Sequence, residues 1–403
     1  MKQKQLKLFA TGLLIVLFSL FSCTKDQLDP QADKNDLSLK AGVIKGTTLT
    51  PIEQLGKSLY FDKISVPNSM ACADCHAPSV GFTGPMSGIN IHGAVYRGAN
   101  AQSFGDRKPP SAAYATFSPV LHYDETEGLF IGGNFWDGRA TGERLGSPAA
   151  EQALGPFLNP AEHNNPDILT VLTKIEKAKY IGLWEEVWGE PFTTALEKNK
   201  ENYDRIGLAI AAYEASTEVN QFSSKFDYYL QGKVQLTAQE ALGLEVFNGK
   251  GMCNLCHISE GDRPLFTDFT FDNLGTPKNP ENPVYKYNPG FLDNGLGGYL
   301  ASRDDYKNFA ADNKGKHKVP TLRNVGKKPG KGFTKAYMHN GVFKSLKEVV
   351  HFYNTRDVKP WPAPEVAENV NTDELGNLGL TEAEENALVA FMETLSDGYV
   401  MKK

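Results

Sequence analysis

Two copies of one short pattern constrain this chain more than any other feature: a cysteine, two spacer residues, a second cysteine and a histidine. The copies are Cys72-Ala73-Asp74-Cys75-His76 and Cys253-Asn254-Leu255-Cys256-His257. The pattern is typical of c-type haem attachment, in which the two thiols bond to haem vinyl groups and the histidine becomes an axial ligand of the iron. A zinc knuckle or a thioredoxin-like pair is the alternative, but neither needs a histidine directly after the second cysteine. The sequence therefore predicts two covalent haems, with His76 and His257 as iron ligands.

The fifth cysteine, Cys23, lies at the end of an N-terminal targeting pattern. Lysines in the first seven residues precede an apolar run over 8–21, which ends in Leu20-Phe21-Ser22-Cys23 and resembles a bacterial lipobox. The run is short for a membrane span. We therefore expect a lipoprotein signal peptide over 1–22, acylation of Cys23, and a flexible polar tether over 23–45. Such a protein is lipid-anchored on the periplasmic side of the bacterial envelope, at the outer membrane.

The charge of the chain limits the class of partner. A net charge of -6 and an isoelectric point near 5.8 argue against a general nucleic-acid binder and permit a basic partner such as a small cytochrome. Residues 46–403 are enough for two domains with a core each, and we expect no other membrane-spanning segment. The oligomeric state stays open, with a homodimer as one arrangement.

A sequence pattern that occurs twice predicts two similar halves. Thr50-Pro51-Ile52-Glu53 precedes the first haem motif, and Thr237-Ala238-Gln239-Glu240 precedes the second. Both are capping boxes, which start a helix by exchanging hydrogen bonds between side chains and backbone. Each half is therefore expected to begin with an amphipathic helix that leads into its own haem loop. This places an N-terminal haem domain at 46–235 and a C-terminal haem domain at 236–403.

Two further helices are expected to close the halves. The first runs from about Tyr203 to Glu218, and Thr381-Glu382-Ala383-Glu384 caps the second. Their inward-facing residues are Ile206, Ile210 and Tyr213 in the first helix, and Leu388, Phe391, Met392 and Leu395 in the second. Stretches rich in Gly, Pro and Asn at 81–111 and 275–300 predict long loops, and strand patterns are scarce. The expected fold class is mostly α, with two cytochrome c-like domains and long irregular loops.

Four more blocks surround the haem motifs. They are Phe135-Trp136-Asp137-Gly138-Arg139-Ala140, Glu151-Gln152-Ala153-Leu154-Gly155-Pro156-Phe157-Leu158-Asn159-Pro160-Ala161-Glu162, Val319-Pro320-Thr321-Leu322-Arg323-Asn324-Val325 and Tyr337-Met338-His339-Asn340-Gly341. In this order, the blocks resemble the bacterial di-haem cytochrome c peroxidase family, which includes the MauG-type enzymes. The resemblance extends from Thr50 to Leu395. It is specific in combination, although no single block is.

The resemblance implies a peroxide site at the first haem. In that family Gln152 and Glu162 match the residues that face the open side of the iron, and Pro156 matches a residue that shapes the pocket. Cleavage of a bound hydroperoxide needs a base that takes a proton from one oxygen and returns it to the other, and a carboxylate in an apolar pocket can do both. Without the matched block, Glu162 would be read as a helix-start carboxylate after Pro160.

Other matched positions imply roles between and around the haems. Trp136 matches a tryptophan that lies between the two haems and could relay electrons, although taken alone it could be an ordinary core residue. Arg323 matches an arginine that approaches haem propionates, where a guanidinium offers paired donors. Asp137 and Arg139 are expected to hold a turn.

The sixth ligand of the second haem is predicted from a capped helix. Ser345-Leu346-Lys347-Glu348 forms a capping box, after which Val349, Val350 and Tyr353 share an apolar stripe while His351 lies on the other side. The position of Tyr353 holds a ligating methionine in most of the family and a tyrosine in MauG-type enzymes, and a phenolate ligand lowers the haem potential. The alternative is a buried tyrosine with Met338 or His339 nearer the iron.

The remaining histidines bear on access to the peroxide haem. Many family members carry a distal histidine, shortly before the segment that matches Pro109-Pro110-Ser111, which blocks this haem until the other is reduced. Between residues 82 and 110 the chain has only His92, which is farther from Pro110 than the usual spacing. The resemblance therefore implies an open peroxide haem. His122 and His163 have no matched role and are expected to be surface or structural residues.

The family's calcium site between the haems is doubtful in this chain. Lys108 stands where the family has a liganding asparagine, although Thr334 and Ala336 could still offer backbone carbonyls. A charged lysine cannot ligate a cation, and its ammonium could replace the ion.

Three functions are compatible with these sequence features. The resemblance implies a cytochrome c peroxidase that reduces hydrogen peroxide to water with electrons from a small cytochrome c or cupredoxin. The alternatives are a MauG-type oxidase acting on a protein or organic substrate, which Tyr353 favours, and a non-enzymatic electron carrier. Gln152 and Glu162 argue against the carrier, because an electron-transfer haem gains nothing from an acid–base pair over open iron.

Overall fold

The computed structural model of the protein describes residues 48–401. The expected signal peptide and tether, and with them Cys23, lie outside the described residues. Within 48–401, no helix combines the length and the apolar character that a membrane crossing requires.

Helices make up 37% of the structure and strands are few, which confirms the mostly α fold class. The helices are α1 (Pro51–Phe61), α2 (Cys72–Cys75), α3 (Ser87–Asn90), α4 (Pro148–Leu158), α5 (Ile168–Glu176), α6 (Gly182–Trp188), α7 (Asn199–Ala215), α8 (Lys225–Leu230), α9 (Ala238–Asn248), α10 (Val284–Tyr287), α11 (Gly295–Leu300), α12 (Leu346–Thr355) and α13 (Glu382–Glu393). Two short antiparallel pairs are present, β1 (His122–Asp124) with β2 (Leu129–Ile131) and β3 (Phe271–Asp272) with β4 (His317–Lys318).

In the first half, α1 crosses the closing helix α7 at a glycine. The carboxylate of Glu53 accepts a hydrogen bond from Thr50 N at 2.7 Å, as expected for a capped start of α1. A Cβ atom on Gly56 would lie 1.8 Å from the carbonyl oxygen of Ala209 on α7, so the close approach of the two helices requires a residue without a side chain.

The second half repeats this crossing with α9 and α13. Thr237 and Glu240 exchange both bonds of the capping box, at 2.7 and 3.3 Å. A Cβ on Gly243 would lie 2.0 Å from the carbonyl oxygen of Ala387 on α13. The repeated sequence pattern therefore corresponds to a repeated helix pair. In each half, the first helix of the pair directly precedes the haem motif.

Each closing helix buries the residues that were expected to face inward. Ile206, Ile210 and Tyr213 belong to one hydrophobic cluster, and Leu388, Phe391, Met392 and Leu395 belong to a second. The second cluster already includes Phe226 on α8, whose ring lies 5.3 Å from that of Phe391. Thus α8 packs with the second half although it precedes residue 235, and the boundary near residue 235 stays a prediction.

The two long loop regions of the halves dock against each other. The guanidinium of Arg107 donates to Asp293 at 2.6 and 2.7 Å, Asn282 Nδ2 donates to Asp106 O at 2.6 Å, and His92 Nδ1 lies 3.0 Å from Glu281. Residues 48–401 all belong to one compact unit. These contacts between 81–111 and 275–300 hold the two motif-bearing regions in a defined relation.

Candidate functional site

The first haem motif lines a cavity of about 1150 Å³. Cys72 and Cys75 on α2 line it, and Tyr60 OH donates to His76 O at 2.7 Å, which holds the loop to α1. The Nδ1 atom of His76 lies 3.0 Å from Pro110 O. Burial lowers the pKa of His76 to about 4, so the ring is neutral. With Nδ1–H donated to a carbonyl, Nε2 keeps its lone pair, which is the state that a haem ligand needs.

The second motif lines a cavity of about 1400 Å³. His257 Nδ1 lies 2.8 Å from Phe266 O, so this ring is oriented in the same way, and burial lowers its pKa. Cys253 and Cys256 form no disulfide and line the same cavity. Each cavity joins two thiols to an imidazole whose Nδ1 is oriented by a backbone carbonyl. The residues present therefore fit haem in both cavities.

The zinc alternative lacks the geometry that it requires. Within 48–401, no cluster of three or more converging metal-binding side chains contains both cysteines and the histidine of either motif. A structural zinc site needs four such ligands around one point.

Helix α4 presents the expected catalytic side chains to the first cavity. Ser147 caps the helix, and Gln152 and Pro156 lie one turn apart on the face that lines the cavity. Glu151 points elsewhere and accepts hydrogen bonds from Gly142 N and Arg144 N at 2.8 and 2.7 Å.

Glu162 reaches the same cavity from the turn that follows α4. Its Oε2 accepts a hydrogen bond from Asn159 Nδ2 at 2.7 Å. Burial raises the pKa of Glu162 more than this bond and Arg139 lower it. A carboxyl group whose pKa is raised by burial gives up its proton less readily than an exposed one, which suits a group that must both accept and return a proton.

A second carboxyl in the first cavity was missed by the sequence reasoning. Glu214 lies on α7 one turn after Ile210, and both line the cavity. Its side chain is buried and makes no hydrogen bond to any described residue, and burial raises its pKa to about 8. Its spacing from Ile206 and Ile210 already puts it on the inward face of the helix, which was the available signal.

Trp136 is the single described residue that lines both cavities. Its indole Nε1 donates to Lys108 O at 2.8 Å, and its own carbonyl accepts from Lys318 N at 2.8 Å, so residues of both halves hold it. Asp137 accepts from Arg107 and Arg139 at 2.6 and 2.8 Å, which agrees with the expected role of Asp137 and Arg139 in a turn. Arg139 also lines the first cavity.

Helix α12 presents Tyr353, together with Val349 and Val350, to the second cavity. His351 points away and contacts Glu385 at 2.9 Å, as expected. Burial raises the pKa of Tyr353, and its hydroxyl makes no hydrogen bond to any described residue. Met338 lines the same cavity, so ligation by Tyr353 stays a prediction.

The start of α12 differs in one detail from the expected capping box. Ser345 Oγ accepts from Glu348 N at 3.1 Å, but the Glu348 carboxylate accepts from Lys344 N instead of Ser345 N.

Arg323 forms a buried ion pair that the sequence did not predict. It is fully buried, lies outside the lining of both cavities, and donates to both oxygens of Asp227 at 2.8 Å and to Pro264 O at 2.8 Å. Its Nη2 atom is buried without a hydrogen-bond partner. The structure therefore shows an ion pair between α8 and the block that contains Arg323, and contact of Arg323 with a haem propionate stays a prediction.

The three histidines without a predicted ligand role differ in their exposure. His92 is two-thirds exposed and does not line the first cavity, and His122 is exposed on β1. His163 is buried and does line that cavity, with Nδ1 2.9 Å from Ile64 O, so it is not a surface residue. Among the described residues, His76 and His163 are the imidazoles of this cavity.

Two buried lysines lie in the region where the family has calcium. The ammonium of Lys108 donates to Thr83 Oγ1 and Pro109 O, both at 3.0 Å, and burial lowers its pKa to about 8. Lys335 donates to Val80 O and Asn324 O at 2.9 and 2.7 Å. Thr334 O already accepts a hydrogen bond from Asn90 at 3.0 Å. Calcium binding is not expected here, because a charged Lys108 cannot ligate a cation.

Fold and cavities together define a class: a mainly helical protein with two haem-type cavities that share a tryptophan. A family model for di-haem cytochrome c peroxidases matches residues 51–235. The methylamine utilization protein MauG of Paracoccus denitrificans is 34% identical over 363 residues, which cover 85% of this chain and 88% of that protein. The cytochrome-c peroxidase IdrP2 of Denitromonas iodatirespirans is 29% identical, with 85% and 81% covered.

A solved structure of a di-haem peroxidase is also similar to this chain. The di-haem peroxidase BthA of Burkholderia thailandensis superimposes with a TM-score of 0.76 at 31% identity, covering 90% of this chain and 89% of that one. The chain belongs to the di-haem cytochrome c peroxidase family. This confirms the resemblance that was inferred from the sequence blocks, and it confirms that the protein is an oxidoreductase of the peroxidase type that binds two haems.

Proposed function

We propose that this protein reduces hydrogen peroxide to water at the cavity of His76, with electrons that enter at the cavity of His257 from a small cytochrome c or a cupredoxin. Reduction consumes two electrons and two protons for each peroxide and releases two water molecules. Covalently attached haem would supply iron for peroxide binding in the first cavity and electron transfer in the second. Haem staining after denaturing electrophoresis tests the covalent attachment.

The observation that supports this proposal most strongly is the set of proton-handling side chains in the first cavity. Gln152, Glu162 and Glu214 face this cavity, and the latter two have raised pKa values. In the second cavity, α12 presents Val349, Val350 and Tyr353, and the carboxyl groups of that cavity come from other segments. Proton-handling groups thus lie where peroxide would react. A pure electron carrier has no use for them.

A MauG-type oxidase is the second candidate, because Tyr353 faces the second cavity and Trp136 lines both. An indole between two redox centres can pass an electron hole toward a substrate on the surface. Peroxide turnover that depends on a reduced small cytochrome favours the peroxidase. Turnover that proceeds only with an oxidisable protein or organic substrate favours the oxidase.

The fully ferric holoprotein is expected to react with peroxide without prior reduction, because His92 is exposed and paired with Glu281. Stopped-flow absorption of the Soret band measures this reaction. His92→Ala should react at the parental rate. If no reaction occurs until one electron per molecule is supplied, another group caps the iron, and His163 is the imidazole in position to do so.

We also propose that the protein is anchored by lipid at Cys23 on the periplasmic side of the envelope, on the strength of the lipobox. Cys23→Ala should leave the membrane fraction and incorporate no labelled palmitate. Incorporation of the label into that variant would contradict the anchor.

A further inference from the structure

Three metal-binding side chains converge near Trp136, at one end of the second cavity, and a fourth lies beside one of them. The three are Asp293 before α11, His317 on β4 and His339 in the Tyr337–Gly341 block, whose ligand atoms all lie within 4.8 Å of one another, and the fourth is Glu365 after α12, which lies next to His339. His317 Nε2 lies 3.2 Å from Asp293 Oδ1, and His339 Nε2 lies 3.9 Å from both Asp293 Oδ2 and Glu365 Oε2. Asp293, His339 and Glu365 are buried, and the His317 side chain is only 11% exposed.

Several polar atoms of this cluster have hydrogen-bond partners outside it. His317 Nδ1 lies 3.0 Å from Gly315 O. Asp293 accepts both bonds from Arg107, at 2.6 and 2.7 Å. Glu365 Oε1 accepts from Tyr285 OH at 2.8 Å and from Asp293 N at 3.1 Å. Ligands of metal sites are usually oriented by such outer partners.

The inward-facing atoms have no partner. His317 Nε2, His339 Nε2 and Glu365 Oε2 are buried without a hydrogen bond. In the tautomer that donates from Nδ1 to Gly315 O, His317 turns its Nε2 lone pair toward Asp293 Oδ1 at 3.2 Å, and a cation between the two atoms would satisfy both. Burial also lowers the pKa of His339 to about 4, which keeps this ring in the neutral form that binds metals.

We propose that Asp293, His317, His339 and Glu365 form a binding site for one divalent first-row transition-metal ion, separate from the haem irons. Ligand atoms 2.0–2.2 Å from a tetrahedral ion are roughly 3.3–3.6 Å apart, so the separations of 3.2 and 3.9 Å found here would have to adjust by small shifts of the side chains. Two imidazole nitrogens and two carboxylate oxygens suit zinc, manganese or iron(II). The rings of His317 and His339 are stacked at 3.6 Å and 8°, so binding tilts them apart.

The four residues do not suit an anion such as a haem propionate. Asp293 and Glu365 are carboxylates, and the three unpartnered atoms have almost no exposed area, so they face one another and not the open cavity. Because Arg107 of the first half holds Asp293 of the second, an ion here would strengthen the contact between the halves beside Trp136.

The experiment measures metal in the holoprotein. The protein is freed of loosely bound metal with a chelator, dialysed against Zn²⁺ or Mn²⁺, and analysed by mass spectrometry against its haem content, with Zn²⁺ affinity from calorimetry. We expect one ion per chain beyond the two haem irons. His317→Phe, which keeps a stacked ring, and Glu365→Gln should each weaken Zn²⁺ binding by about a hundredfold or more.

His92→Ala is the matched control, because it removes an exposed histidine–glutamate pair and should leave the affinity unchanged. Haem absorption and circular dichroism verify that each variant is folded. Parental protein with no metal beyond its haem irons would overturn the proposal even if a variant did not fold. Binding that is lost in His92→Ala but kept in both His317→Phe and Glu365→Gln would overturn it as well.

Discussion

Glu162→Gln is expected to slow oxygen–oxygen cleavage of peroxide by about a hundredfold or more, because a general acid–base group contributes roughly 10²–10⁴-fold. Glutamine preserves the size of the side chain and can still contact Asn159, which donates to Glu162 at 2.7 Å. It cannot take a proton from one peroxide oxygen and return it to the other. The measurement is the rate of the Soret change after ferric holoprotein and peroxide are mixed.

The pH dependence of this step gives a second readout of the same residue. Burial raises the pKa of Glu162, and only its ionised form can accept a proton. The parental rate should therefore rise with pH through a limb that lies above the ordinary range of glutamic acid. Glu162→Gln should lack this limb.

Glu186→Gln is the control for loss of a carboxylate, because Glu186 is exposed on α6, and it should leave the rate unchanged. Both haems should remain in Glu162→Gln, and cyanide should still bind the first. A parental cleavage rate in this variant would make Glu162 a structural carboxylate and reopen the electron-carrier hypothesis.

Tyr353→Phe is expected to change the low-spin signal of the second haem and to raise its potential by an amount on the order of 100 mV, since axial ligands spread haem potentials over roughly 0.8 V. The Tyr353 hydroxyl faces the cavity of His257 without a hydrogen bond to any described residue. Burial raises the pKa of Tyr353, and a ferric ion offsets this by stabilising the phenolate. Electron paramagnetic resonance and a redox titration measure the two effects.

Tyr337→Phe is the matched control, because Tyr337 lines the same cavity and its hydroxyl donates to Val325 O at 3.3 Å. It should leave the signal of the second haem close to the parental one. The signal of the first haem should be unaffected in both variants. An unchanged spectrum in Tyr353→Phe would transfer the ligand role to Met338, which lines the same cavity.

Local patterns in the sequence were sufficient to predict most of the elements that carry the site. The haem motifs, the capping boxes and the inward faces of α7, α12 and α13 were all expected, because each depends on residues within a few turns of one another. A capping box satisfies backbone donors of its own first turn, and an apolar stripe follows from the helical period. The position of Tyr353 inside and His351 outside was predictable for this reason.

Contacts between distant segments depended on the tertiary structure. The residue pattern alone could not show that Trp136 lines both cavities, which only the family resemblance implied, that Arg323 pairs with Asp227, or that His163 is buried beside the first cavity. In each case the partner is supplied by another element, and spacing along the chain carries no information about it. Burial also depends on the whole fold, and burial raises the pKa of Glu214 to about 8.

The sequence by itself therefore determined the class of this protein: a mostly helical, di-haem peroxidase-type oxidoreductase with its candidate proton-transfer residues on α4 and the turn after it. The tertiary structure decided which side chains meet. Asp293, His317, His339 and Glu365 come from separate segments of the second half and meet only in the fold, where Arg107 of the first half docks on Asp293. Docking of this kind is decided by packing and by buried charge, which act through space and not along the chain.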